Sequence, residues 1–234
     1  MLDVRYDQYL TDEDSWVESI GAMAFLVASI LFFITYWQSE DNGNDFYWFK
    51  TNKNWIFLGL SFLFFVAFGE EISWGQRIFG WSTPEELAKV NYQQETNIHN
   101  LDFFTFKHET NDEWYAPLLV LNAGRIFFYF WFSFMVIIPL LNQFHKKSRR
   151  LFSRINIPIA PLWTGILMIS ILIIAKVYKV LFAKSPGDYS GSIDEIMECN
   201  YALVIATLAY VLYRKSTAYI SSRLSSQNSP AANA

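Results

Sequence analysis

A single cysteine, Cys199, stands among 234 residues, which excludes an internal disulfide and any cysteine-rich metal site. Histidine is nearly as scarce: His99, His108 and His145 leave little material for an imidazole-based metal centre. There is no Gly-rich phosphate loop, nucleotide fingerprint or haem motif, so hydrolysis or group transfer is favoured over redox chemistry. No internal repeat supports an inverted-repeat transporter. Basic residues are missing ahead of the first apolar run, where Asp3, Asp7, Asp12, Glu13 and Asp14 face only Arg5. No small-residue cleavage site follows that run, so it does not read as a signal peptide.

Hydrocarbon is what the chain has in excess. Hydrophobic residues make up 53% and aromatics 19%, too much for an ordinary soluble domain. Five segments are long enough to cross a bilayer core of about 30 Å: residues 16–37, 55–74, 117–141, 158–182 and 194–213. The expected fold is therefore all-α: a polytopic integral membrane helical bundle of five transmembrane helices in one domain, residues 1–224. The small, polar residues 225–234 read as a disordered tail.

Lysine and arginine set the orientation. The connection His145-Lys146-Lys147-Ser148-Arg149-Arg150 with Arg154 is strongly basic, and Lys50, Lys53, Arg214, Lys215 and Arg223 share its side. Five spans then give an N-out/C-in topology. The net charge of −4 conceals an acidic outer face and a basic inner one. That basic face suits anionic lipid headgroups and argues for a bilayer, not nucleic acid, as partner.

The partly helical extracytoplasmic loop, residues 75–116, is too long for a simple connector. Thr83-Pro84-Glu85-Glu86 predicts a helix start, with Thr83 as cap, Pro84 at the first position and Glu86 completing a capping box. The helix is expected to run through Asn91 towards Asn100, stacking Asn91, Glu95 and His99 on one face. An extended segment puts Asn91, Gln93, Glu95, Asn97 and His99 on one side instead. The next residues, Leu101–His108, mix rings and charges as an interfacial segment does.

The most informative block is Phe68-Gly69-Glu70-Glu71-Ile72-Ser73-Trp74-Gly75-Gln76-Arg77, set where the second span should end. Adjacent carboxylates at the edge of hydrocarbon are expensive and are normally paired, protonated or working. Together with Ser82-Thr83-Pro84 and Asn91-x-Gln93-x-Glu95-x-Asn97-x-His99-Asn100, the block resembles one found in uncharacterised bacterial and archaeal multi-span membrane proteins. The resemblance covers roughly residues 69–101 and implies a multi-pass protein of the prokaryotic plasma membrane. A second resemblance is to the CPBP intramembrane proteases, which carry Glu-Glu-x-x-x-Arg. Here Arg77 stands two positions late, and Phe104-x-x-x-His108 resembles their second motif.

The residues admit two chemistries. In one, Glu70, Glu71, Glu95 and His99 form a catalytic acid–base set, and Arg77 and Arg125 hold an anion such as a phosphate or headgroup. Asn91, Gln93, Asn97 and Asn100 then supply neutral hydrogen bonds to the substrate. In the other, Glu71, Glu95 and His99 ligate a divalent metal. The structural alternative is a set of interhelical ion pairs, with Glu70 or Glu71 on Arg125 and Lys176 on Glu198, beside Glu195. Ser73 is a conceivable nucleophile, but a serine after a Glu pair with no base nearby in sequence reads first as a helix hydroxyl bonded to its own backbone. The leading expectation is a membrane-embedded hydrolase or transferase acting on a lipid or lipid-linked substrate. The rivals are an ion- or proton-conducting or transport protein, and a non-catalytic accessory subunit of a membrane complex or homo-oligomer.

Overall fold

The computed structural model describes residues 16–40, 42–91, 94–98, 101, 123–182 and 190–227. All the regular structure among them is helical. α1 (Trp16–Gln38) is followed by α2 (Trp55–Glu71), a 3-10 turn Ser73–Gly75 and two short helices, α3 (Gln76–Phe79) and α4 (Glu85–Ala88). A further rod is built from α5 (Ala123–Phe132), a π-helical stretch Ser133–Ile137 and α6 (Ile138–Phe144). α7 (Lys146–Arg154), α8 (Leu162–Phe182) and α9 (Ser190–Gln227) complete the helices among the described residues.

α1 is the centre of the bundle, packed on α2 and on α9. Its buried positions Gly21, Phe25, Ala28, Phe32 and Thr35 recur at spacings of four and three, the seam of a helix pair. Gly21 lets α9 come close, since a Cβ there would lie 3.4 Å from the Cys199 Cα. Towards α2 the contact is aromatic. Phe64 stacks between Phe25 and Phe32 at 5.9 and 5.8 Å, and Ser29 donates to the Ser61 carbonyl at 2.9 Å. Such a hydroxyl tie is the kind of polar contact that joins helices in lipid.

The opposite face of α1 is equally apolar: Ile20, Met23, Val27, Ile30 and Trp37 are exposed. A helix at a water-facing surface carries polar residues there, so this face is made for hydrocarbon. Among the described residues four helices are long and apolar enough to cross a membrane: Trp16–Gln38, Ala123–Phe144, Leu162–Phe182 and Ser192–Tyr219. α2, with 17 residues, rises about 25 Å, at the short end of spanning length.

The π-helical stretch has an identifiable cause. Pro139 has no N–H for the carbonyl of Met135, four residues back, and its ring crowds that turn. Gly165 of α8 sits over the same carbonyl, where a Cβ would lie 2.5 Å from the Met135 oxygen.

Three local expectations need correcting. The second span was expected to run to Trp74, but α2 stops at Glu71, because Ser73 and Trp74 take positive φ values of 44° and 53°. The loop helix expected to reach Asn100 ends at Ala88, and Asn91 instead bridges Leu101 in antiparallel fashion. The Asn91 side chain competes for the backbone there, accepting from Glu95 N and donating to the Asn97 carbonyl. Third, the Thr83 capping box does not form: its hydroxyl donates to Gln76 Oε1 at 3.0 Å and lies 3.2 Å from the Thr96 hydroxyl. The interfacial segment after Leu101, residues 117–122 of the third span, and residues 228–234 of the tail lie outside the described residues.

Candidate functional site

At the end of α2 the chain reverses its handedness within one turn. Ser73, Trp74 and Gly75 all lie in the left-handed region, a costly conformation for the first two, which lack glycine's freedom. The turn carries the Trp74 ring back over Gly69, where any Cβ would lie 2.9 Å from the indole. It also sends the Ser73 side chain inward, where it is 1% exposed.

The loop segment around residues 94–98 docks on this turn through two carboxylates. Ser73 Oγ donates to Glu95 Oε2 at 2.6 Å, and Asn97 Nδ2 donates to the same oxygen at 2.9 Å. Asn97 Nδ2 also lies 3.4 Å from Ser73 Oγ, closing a triangle of hydroxyl, carboxylate and amide. Glu70, one turn before Ser73, accepts from Trp74 Nε1 and from the backbone N–H of Ile98, both at 2.6 Å. Charge-assisted bonds of this length are the strong ones, so the two carboxylates fix the loop against the helix end.

A layer of neutral groups supports the triangle. Asn91 is buried and donates to both the carbonyl and the side-chain oxygen of Asn97, at 2.8 and 2.9 Å. Gln76 Oε1 accepts from Thr96 N at 2.7 Å and from Thr83 Oγ1 at 3.0 Å. Neither Gln76 nor Thr96 was picked out from the sequence. The readable cue was Gly75, a residue that ends helices in the left-handed conformation.

The structure thus brings together Glu70, Glu95, Asn91 and Asn97 from the expected set and adds Ser73. Glu71 goes elsewhere. It lines a small cleft between α1, α2 and α9 with Glu18, Glu195, Glu198 and Cys199. Arg125 is exposed in the first turn of α5. Arg77 lies in α3, its side chain outside the described residues, as are Gln93, His99 and Asn100. Among the described residues no three of His, Cys, Asp and Glu are grouped as metal ligands. Glu95 Oε2 is instead held by two hydrogen-bond donors.

The ion pair expected for Lys176 and Glu198 is made by their neighbours: Lys179 Nζ contacts both oxygens of Asp194 at 2.6 Å, tying α8 to α9. Lys176 is exposed and forms no ion pair among the described residues. The reading of Ser73 as a self-bonded helix hydroxyl is also corrected, since its hydroxyl is bonded to a carboxylate 22 residues away.

Chemically, a hydroxyl donating to a carboxylate at 2.6 Å, with an amide on the same carboxylate oxygen, is an arrangement that serves either a nucleophile with its base or a buried structural clamp. No protein-family model matches the chain, and no curated protein or solved structure is significantly similar to it.

Proposed function

We propose that the protein is a membrane-embedded hydrolase or group transferase in which Ser73 is the nucleophile and Glu95 its base, acting on a lipid or lipid-linked ester. On this reading α2 is a fifth span, the topology is N-out/C-in, and the Ser73 turn faces the extracytoplasmic side of a prokaryotic plasma membrane. The positive-inside balance of the connections supports that orientation. The observation that carries the chemistry is the 2.6 Å contact between Ser73 Oγ and Glu95, made by a serine held in a sparsely populated backbone region.

The proposed steps use that contact. Glu95 takes the hydroxyl proton as Ser73 Oγ bonds to the substrate acyl carbon. The bond to the leaving alcohol then breaks, and Glu95 returns the proton to the alkoxide. Water, or a second alcohol in a transferase, repeats the sequence in reverse order and frees Ser73. Asn97 keeps the base aligned. Glu70 positions the loop without taking part in proton transfer, because its two oxygens accept from Trp74 and Ile98. Arg125 and Arg77 are proposed as the anion-holding pair.

A fluorophosphonate probe, which reacts with activated serines, tests this directly. The intact protein in detergent should yield a probe-modified peptide containing Ser73, and Ser73→Ala should yield none. If folded protein gives no modified Ser73 peptide, the triangle is a structural clamp. The 1% exposure of Ser73 is the observation that favours that second reading.

A further inference from the structure

The other end of the bundle carries a second construction, independent of the chemistry at Ser73. The connection between α1 and α2 folds into a tight reversal, with an antiparallel bridge between Asp45 and Lys50 and a hydrogen bond from Phe46 N to the Phe49 carbonyl at 2.9 Å. At its tip Tyr47 and Trp48 are 86% and 87% exposed. Two large aromatic rings held out by an ordered turn are costly in bulk water, whereas Tyr and Trp are at home in the headgroup layer of a bilayer.

This tip is locked to α7. Asn44 Nδ2 donates to the Ile155 carbonyl at 2.6 Å, Asn54 Nδ2 to the Asn156 carbonyl at 2.7 Å, and Asn156 Nδ2 back to the Gly43 carbonyl at 2.5 Å. Arg154 adds a 2.9 Å contact to Asp45. The two connections, more than a hundred residues apart in sequence, therefore form one platform. α7 brings Lys146, Lys147 and Arg150, all exposed and without an ion pair among the described residues, and Leu151, exposed among the charges. Phe144, 75% exposed, precedes it. Residues 38–55 and 142–157 together hold seven Lys and Arg against three Asp and Glu.

We infer that this platform is a binding site for anionic phospholipid. The aromatic tip and Phe144 seat it in the headgroup layer, and Lys146, Lys147 and Arg150 take the headgroup phosphates. The asparagine lock ties the aromatic turn to the chain that leaves the basic helix, a coupling that a merely solvated basic loop does not have. Charge complementarity selects the occupant: unpaired cations beside exposed rings fit an anionic lipid and leave zwitterionic lipid without advantage.

The test reconstitutes the full chain in nanodiscs of mixed phosphatidylglycerol and phosphatidylcholine, extracts it, and counts the retained lipids by native mass spectrometry. The wild-type protein should retain phosphatidylglycerol preferentially. A cation near an anionic surface is worth about fivefold in binding, so K146Q/K147Q/R150Q should lower that preference at least about tenfold. K176Q, on exposed α8 away from the platform, should leave it unchanged. N156A keeps every cation but loosens the lock, and it should also lower the preference. No preference in the wild type, an unaltered preference in the triple variant, or an equal loss in K176Q would each overturn the inference. An unaltered preference in folded N156A would remove the lock from it.

Discussion

The two ends of the bundle solve the same problem with different chemistry. Each joins a helix terminus to a distant stretch of chain through buried asparagines, Asn91 and Asn97 at one end and Asn44 and Asn54 at the other. At the Asn54 end the asparagine amides meet backbone carbonyls and one another, and the carboxylates of Asp45 and Glu40 sit at the rim on Arg154 and Lys53. At the Ser73 end two carboxylates occupy the centre, and the backbone that supports them is held at positive φ. Neutral amides are sufficient to close a loop, since each bond to a buried backbone group satisfies what would otherwise be an orphan. The lock has one residue at positive φ, Asn156, whereas the Ser73 end has Ser73 and Trp74 in succession together with its two carboxylates, and the proposed function assigns that difference to chemistry.

The largest expected effect is at the Ser73 end. Glu95→Gln keeps the shape of the side chain and removes its basicity, so probe labelling of Ser73 should fall about a hundredfold or more. The thermal midpoint in detergent should move little, because an amide can still accept from Ser73. A labelling rate within about threefold of wild type would remove the distinction between the two ends. Asn54→Ala should behave in the opposite sense. It strips partners from Asn44, from the Asn156 carbonyl and from Ile56 N, a loss of about 2–4 kcal/mol seen as a lower unfolding midpoint. Labelling of the protein that remains folded should be unchanged.

The glycines sharpen the contrast on a smaller scale. A Cβ on Gly43 would run into the backbone carbonyl of Thr51, which cannot swing aside, so Gly43→Ala should cost about 2–3 kcal/mol in the unfolding midpoint. A Cβ on Gly69 meets only the Trp74 ring, which can rotate, and the expected cost is about 1 kcal/mol. Rotation of that ring also breaks its bond to Glu70, so Gly69→Ala should slow labelling more than it lowers stability. A variant that lost stability without any change in labelling rate would show the Trp74–Glu70 contact to be irrelevant to the site.

These contrasts also explain what was readable in the residues alone. Long apolar runs determine helices wherever every face must be apolar, so Trp16–Gln38 and Leu162–Phe182 match the expected spans closely. Glu70, Glu95, Asn91 and Asn97 were all candidates, but the expected helix left Asn97 off the face shared by Asn91 and Glu95, and only the extended alternative put those three on one side. The contact of Ser73 with Glu95 was not legible, since a positive φ at a non-glycine residue is imposed by tertiary contacts and leaves no mark in composition. The short α4 was misjudged because Thr83 and Glu86 satisfy a capping pattern, yet the Thr83 hydroxyl finds better partners in Gln76 and Thr96. The asparagine lock was invisible for a simpler reason. Asn44 and Ile155 are 111 residues apart, and only the completed bundle brings their connections together.

The smallest effect concerns the rim of the Asn54 end. The hydrogen bond from Arg154 holds the Asp45 carboxyl below its ordinary value of 3.8, against the opposing pull of burial, and the charges of Arg154 and Lys50 lower it further. A carboxyl depressed in the folded state binds protons less readily there than in the unfolded chain, so the pair stabilises the fold fully above 3.8. That contribution is lost as pH falls below 3.8 through the folded-state value. The difference in unfolding midpoint between wild type and Asp45→Asn should therefore be constant from about pH 8 to pH 5 and shrink only under stronger acid. Because the Arg154 side chain is exposed and that of Asp45 partly so, salt should shrink it as well. A difference that already vanished near neutral pH would place the stabilising proton on another group, and Asp45 would then be a spectator of the lock beside it.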